Sequence, residues 1–293
     1  MLPTPIHFPL DTLQWFRYNS RVTSLHPPLS PVEGETASGS RRIAVRLMIS
    51  VRDEVEAATA LAGGADIIDI KNPSEGSLGA QPPHVITAIV KTLPPAIPVS
   101  ASIGDVPNLP GTVALAGLGA AVCGVRFVKV GLLGARTPKE AAGLLGAIQR
   151  ALAHATGTVG LVACAYADAA LVGSLDPLLL PDAAAPFADG CLIDTAVKDG
   201  KHLFQCLPDD AIALFTKRCR DRGLFSALAG CLTQDHLSRA QALGADIVGV
   251  RTAACAGDTR GGIISLEKVK ALKERLIEAS AHHHTRPQRL SAL

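Results

Sequence analysis

From Ile43 to about Ser280 the chain repeats one rhythm eight times: a short apolar, β-branched segment, then a longer segment rich in Ala and Leu. That alternation is the sequence pattern of strands separated by helices. Strands are expected at 43–50, 65–70, 97–102, 125–130, 158–164, 190–194, 224–229 and 246–250. Helices are expected between them at about 53–62, 82–92, 112–123, 138–154, 209–222, 233–243 and 265–280, with a broken one near 167–187. Local signals agree: Asp53 and Thr233 stand as N-caps, Pro138 follows Thr137 at a helix start, and Gly63 and Gly244 follow last turns. One phrase recurs, Gly64-Ala65-Asp66-Ile67-Ile68 and Gly244-Ala245-Asp246-Ile247-Val248, each time leading from a helix end into a buried strand. Eight such units make an α/β chain of the size of a single TIM (β/α)8 barrel, about 250 residues. The alternative, an open doubly wound sheet, lacks its G-x-G-x-x-G fingerprint after the first strand.

Composition fits a sheet covered by helices. Hydrophobic residues make up 48% but aromatics only 3%, so the core is built from Ala, Val, Ile and Leu. A net charge of +2 without a basic, aromatic-interleaved stripe argues against a nucleic-acid partner. The longest apolar run, Thr112 to Val125, is too short to cross a bilayer and reads as a buried helix, so no membrane partner is expected. Seven cysteines lie scattered without a C-x-x-C, which predicts reduced thiols in a cytoplasmic protein. Residues 1–42, rich in Pro, Ser and Thr, read as an extension, with a true start near Val45 or Met48 as the alternative. Residues 43–280 form the barrel. Residues 281–293, with His282, His283 and His284, read as a solvated polar tail. The small-residue helix Ala114 to Ala121 offers a face for a homo-oligomer.

In such a barrel the chemistry gathers at the C-terminal strand ends. Side chains two apart share a face of a strand, so Asp69 and Lys71 point together while Ile68 and Ile70 point toward the helices. A charged pair at the end of an apolar strand is costly unless paired or used. Other ends supply Ser100 and Ser102, Lys129, Asp194 with Lys198, Ala229 with Gly230, and Gly249 with Arg251. Lysines converging on one poorly solvated mouth have lowered pKa values, so part of one is the neutral amine that attacks a carbonyl. The carboxylates position the ammonium groups and move protons. Ser102, Ala229, Gly230, Gly249 and Arg251 are the expected substrate and phosphate contacts, since the last two loops of this fold commonly hold phosphate. Arg251 in an inter-strand salt bridge is the competing reading, as are Lys198 as a solvated loop residue and Asp105, Asp168 and Asp199 as caps or turn residues.

The phrases GGADIIDIKNPSEGSLGA, SASIGDVPNLPGTVALA, FVKVGL, YADA, GSLDPLLLP, LIDTAVKDGKHLFQ, LAGCLTQDH and GADIVGVRTAAC occur in this order over about residues 45 to 278. Together they resemble the (5-formylfuran-3-yl)methyl phosphate synthase family, which makes the furan precursor of methanofuran. The resemblance implies a class I aldolase-like TIM barrel that joins two glyceraldehyde 3-phosphate molecules, with loss of phosphate and water. It further implies that Lys71 in D-x-K-N-P forms the Schiff base, that Lys129 in V-K-V-G transfers protons, and that Asp69, Asp194 and Lys198 complete the site. No cofactor or metal is called for, because the protonated imine is the electron sink. The departures are the extra N-terminal residues, the polar tail and a short loop between Cys255 and Gly262, where substrate closure or phosphate contact would fall. Competing readings are an aldolase or isomerase for another phosphosugar, a metal-assisted enolising barrel using Asp69 and Asp194, and a non-catalytic metabolite-binding barrel.

Overall fold

Eight parallel strands close on themselves in chain order: β1 Arg46–Val51, β2 Ile67–Ile70, β3 Val99–Asp105, β4 Phe127–Gly131, β5 Gly160–Tyr166, β6 Gly190–Asp194, β7 Phe225–Leu228 and β8 Ile247–Val250, which pairs back onto β1. This computed structural model describes residues 45–284, with side chains to Ser280. The extension expected over residues 1–42 and the tail beyond His284 lie outside the described residues. The expected barrel is what forms, and no helix among the described residues is long and apolar enough to cross a membrane.

The helices begin where their caps predict. Asp53 accepts the Glu56 amide at 2.8 Å ahead of the helix Glu54–Ala62, and Thr137 with Glu140 forms a reciprocal capping box ahead of Pro138–Leu152. At the first helix end the left-handed residue is Gly64 (φ +94°), while Gly63 is right-handed and serves close packing, since a Cβ there would sit 2.5 Å from that of Val269. The broken stretch resolves into Ala169–Val172, a 3₁₀ turn Pro177–Leu179 and Leu180–Ala184, and an unforeseen short helix, Leu203–Cys206, follows β6. The last helix, Leu266–His284, runs past the expected boundary at Ser280.

The recurring Gly-Ala-Asp phrase has a physical role. Asp66 accepts the Leu47 amide at 2.7 Å and Asp246 accepts the Ser226 amide at 2.8 Å, so each carboxylate pins the start of the neighbouring strand. Asp189 does the same for Leu161 at 2.8 Å.

At the N-terminal end of the barrel, Phe127 and Phe225 meet edge to face with centroids 5.8 Å apart. Gly160 and Gly190 make room for them: a Cβ on Gly190 would lie 2.2 Å from Phe225 Cε2 and one on Gly160 2.5 Å from Phe127 Cδ1. Gly190→Ala is therefore expected to cost about 1–3 kcal/mol of stability through overpacking. A lower denaturant midpoint with an unchanged slope is the result that checks it. These rings fill the N-terminal end of the barrel, and a cavity lies at the C-terminal end.

Candidate active site

The Lys71 amide still donates to the Val51 carbonyl at 3.1 Å, which keeps Lys71 in line with β2 and on the inward face of Asp69. Just beyond, Asn72 Oδ1 accepts from the Ser74 amide at 3.1 Å and turns the chain into the 3₁₀ turn Pro73–Glu75.

Two buried carboxylates organise the mouth. Asp69 is fully buried and accepts from Lys129 Nζ at 2.7 Å, Ser100 Oγ at 2.7 Å and Ser50 Oγ at 2.9 Å. Asp194 accepts Lys198 Nζ and the Thr195 amide on Oδ1, at 2.7 and 2.8 Å, while its Oδ2 faces Lys71 Nζ at 3.7 Å. Burial pushes both carboxyls up, but the nearby lysines and hydrogen-bond donors outweigh it and hold both below the ordinary carboxylate range. Both are anions at neutral pH.

The three lysines are therefore not equivalent. Lys129 and Lys198 each donate to a carboxylate at 2.7 Å, whereas Lys71 Nζ makes no hydrogen bond among the described residues. Its pKa falls to about 8, first because burial penalises the charge and further because Lys129 and Lys198 repel it, against the pull of Asp194 and Asp69. Cys164 shares this interior, but burial raises its thiol to about 12 and leaves it a neutral filler.

Two further aspartates hold the loops over the mouth. A register shift between Ser102 and Asp105, with Gly104 at φ +113°, carries β3 past its expected end and re-aims Asp105. Asp105 then accepts the Ser77 and Leu78 amides, at 2.6 and 3.2 Å, and the Tyr166 hydroxyl. Burial and the Asp105 charge push the Tyr166 pKa far up, so that hydroxyl stays a donor. Ser77 Oγ continues across the mouth to the Thr195 carbonyl at 2.8 Å, tying the loop after Lys71 to the loop after Asp194. Asp168 clasps that second loop through the Ala196 and Val197 amides at 2.7 and 2.8 Å. Asp105 and Asp168 thus anchor loops rather than cap helices, while Asp199 stays an exposed turn residue.

The expected phosphate contacts separate. Gly230 (φ +103°) and Cys231 (φ +49°) turn the chain into the left-handed region beside the cavity, and Ala229 and Gly249 line it. A Cβ on Gly249 would stand 2.7 Å from Met48 Cε. The Ser102 hydroxyl is buried, lies in register with Lys129 and has no partner among the described residues, and Ser102 is not among the residues that line the cavity. Arg251 differs from expectation. Its guanidinium donates to Glu56 Oε2 and Oε1 at 2.8 and 3.2 Å and to the carbonyls of Ser50, Gly262 and Arg260 at 2.8, 3.0 and 3.0 Å. All five N–H groups are thus taken, and none is left for a phosphate. Arg251 is the salt-bridging strut of the competing reading, with Glu56 in place of an inter-strand partner.

The cavity above these groups, its open mouth included, holds about 480 Å³ and is lined by Lys71, Lys129, Lys198, Asp69 and Asp194 together. The chain as a whole is similar to a known family. The sequence model of the 4-HFC-P synthases matches residues 47–273. A (5-formylfuran-3-yl)methyl phosphate synthase of Methanopyrus kandleri is 47% identical over 233 residues, covering 79% of this chain and 98% of that protein. The chain belongs to the 4-HFC-P synthase family. A family member from Methanocaldococcus jannaschii is 45% identical over 230 residues, covering 78% of this chain and 98% of its own. Among solved structures, a 3-hexulose-6-phosphate synthase superimposes with a TM-score of 0.53 at 19% identity, covering 78% of this chain and 99% of that one. A Streptococcus mutans KGPDC structure gives 0.54 at 14%, covering 80% and 98%. At such identities these two share the barrel alone.

Two residues of this site, Glu56 and Arg260, carry no signal in the local sequence. Glu56 looks like any acidic residue of a first helical turn, yet it is 1% exposed between Arg251 and Arg52. Burial pushes its carboxyl up, and the two arginines bring it down below the ordinary value. Arg260 carries no local signal; its side chain reaches the Pro73 and Gly76 carbonyls, far away in the chain.

Proposed function

We propose that the chain condenses two glyceraldehyde 3-phosphate molecules into (5-formylfuran-3-yl)methyl phosphate through an imine on Lys71. The observation that carries this reading is the contrast among the lysines: Lys129 and Lys198 are held by carboxylates at 2.7 Å, while the buried Lys71 amine has no hydrogen bond among the described residues, faces Asp194 only at 3.7 Å and has its pKa lowered to about 8. A lysine of that kind is a nucleophile at neutral pH.

In this reading the Lys71 nitrogen adds to the aldehyde carbon of one triose. The Lys129 ammonium gives its proton to the departing hydroxyl, and water leaves as the imine forms. Neutral Lys129 then removes the proton from the adjacent carbon, and the enamine expels phosphate by breaking the carbon–oxygen bond at the third carbon. In the product the phosphorylated arm sits on a ring carbon that was the centre of its triose. The second triose therefore reacts as its ketose tautomer, reached by moving a proton between its first two carbons. Ring closure and dehydration complete the furan; two trioses lose one phosphate and two waters in total. Asp69 and Asp194, both anionic, hold the lysines and the developing imine charge.

Borohydride reduction in the presence of glyceraldehyde 3-phosphate, followed by peptide mapping, tests the reading. A reduced adduct on Lys71 is expected, and its absence sinks the assignment. The pH dependence follows from the lowered pKa. At pH 7 about a tenth of Lys71 is neutral, so the trapping rate should rise about tenfold per pH unit below pH 8 and level off above about pH 9.

A further inference from the structure

We propose that Arg260 recognises the phosphate monoester of the substrate and, on binding it, locks the loop that follows Lys71. This deepens the reading given above and rests on it. The charge balance of the cavity points to Arg260. Lys129 and Lys198 are neutralised by Asp69 and Asp194, and Arg251 by Glu56. Lys71 and Arg260 remain as the cavity cations without a carboxylate at hydrogen-bonding distance among the described residues. Lys71 is committed to the carbonyl carbon, so a phosphate dianion arriving with it has Arg260 to meet.

The geometry of Arg260 suits that task. Its Nε donates to the Pro73 carbonyl at 3.3 Å and its Nη2 to the Gly76 carbonyl, which leaves Nη1 and one Nη2 hydrogen without a partner among the described residues. Two N–H groups on a planar fork match two oxygens of a phosphate. The Arg260 backbone is fixed from behind, since its carbonyl accepts Arg251 Nε at 3.0 Å and Arg251 is itself clamped by Glu56. The side chain is partly exposed and lines the same cavity as the left-handed turn at Gly230 and Cys231.

The same guanidinium thus joins two things. One edge holds the Pro73–Gly76 segment, directly after Lys71, and the other is open to an anion. A phosphate on the open edge fixes the side-chain conformation that makes both carbonyl contacts. Arrival of a phosphorylated aldehyde thereby steadies the loop that carries its nucleophile.

Two measurements on the full chain test this, using Arg260→Gln and Arg260→Lys with unchanged thermal unfolding as the check on folding. In calorimetric titration with inorganic phosphate, Arg260→Gln should weaken binding by about 10–100-fold, the range lost with a charged hydrogen bond. Arg260→Lys should fall between it and the wild type, since a point charge replaces a fork. In borohydride trapping on Lys71, Arg260→Gln should raise the half-saturating concentration of glyceraldehyde 3-phosphate by a similar factor and that of unphosphorylated glyceraldehyde by a much smaller one, the small part being the lost hold on the Pro73–Gly76 segment. Equal phosphate affinity in wild type and Arg260→Gln overturns the proposal, as does an equal loss for both aldehydes. Failure of the imine reading looks different: the wild type then gives no Lys71 adduct with either aldehyde, while the phosphate titration still separates the variants.

Discussion

Lys71→Ala is expected to stay folded and to make no furan phosphate from glyceraldehyde 3-phosphate. The loss should be about 10⁴-fold or more, the order seen when a covalent nucleophile is removed. Folding should survive because neither buried carboxylate depends on Lys71: Asp69 keeps Lys129 at 2.7 Å and Asp194 keeps Lys198 at 2.7 Å. Removing Lys71 also relieves the burial that depresses its pKa, so thermal unfolding should be unchanged or higher. Lys71→Arg should be equally inactive, since a guanidinium keeps the charge but offers no neutral amine. Furan absorbance and mass spectrometry of the product, alongside a melting curve, read both halves of this prediction. A Lys71→Ala protein that still produces the furan would remove Lys71 from the chemistry altogether.

Asp69→Asn should have the largest effect on stability. Asp69 is fully buried and Lys129 is 2% exposed, so the substitution leaves an ammonium ion in the barrel interior without its ion-pair partner. Breaking a buried pair from one side costs about 3–5 kcal/mol. The double change Asp69→Asn with Lys129→Met should recover most of that loss while remaining inactive, because an apolar stem replaces the stranded charge. Denaturant unfolding of the two variants decides the matter; if the double variant is no more stable than the single, the pair is not what supports this layer. Acid dependence gives a second check. The Asp69 pKa is lowered on folding, so its contribution is present at neutral pH, above the unfolded carboxylate value of about 3.9, and is lost as the pH falls through the lower folded value. Asp69→Asn should lack that part of the acid destabilisation.

Much of this site was legible because alternation along a strand is a local property. The two-residue spacing of Asp69 and Lys71 put both inside the barrel, and Phe127, Lys129 and Gly131 follow the same rule on β4. Arg251 obeys it too, and there the rule was insufficient: an inward arginine at the end of β8 reads as a phosphate ligand until Glu56, from a helix of distant sequence, takes two of its N–H groups. Asp105 was a turn residue on local grounds, and only the shifted register after Ser102 brings it under the Ser77 and Leu78 amides. The short loop after Cys255, a departure in the region of substrate closure or phosphate contact, carries Arg260 in three dimensions back to the loop after Lys71.

The residues alone determined the eight-fold alternation, the inward face of each strand and hence which charged groups meet at one mouth, because strand and helix periods are set by backbone geometry within a few residues. Tertiary structure decided how those charges pair. Three lysines of similar local setting became two ammonium groups held at 2.7 Å and one amine without a hydrogen bond among the described residues, since pairing and desolvation depend on atoms supplied by other strands. The loop from Asn72 to Ala80, which no local pattern explained, is held by Asp105, Thr195 and Arg260, contributed by three other strand ends.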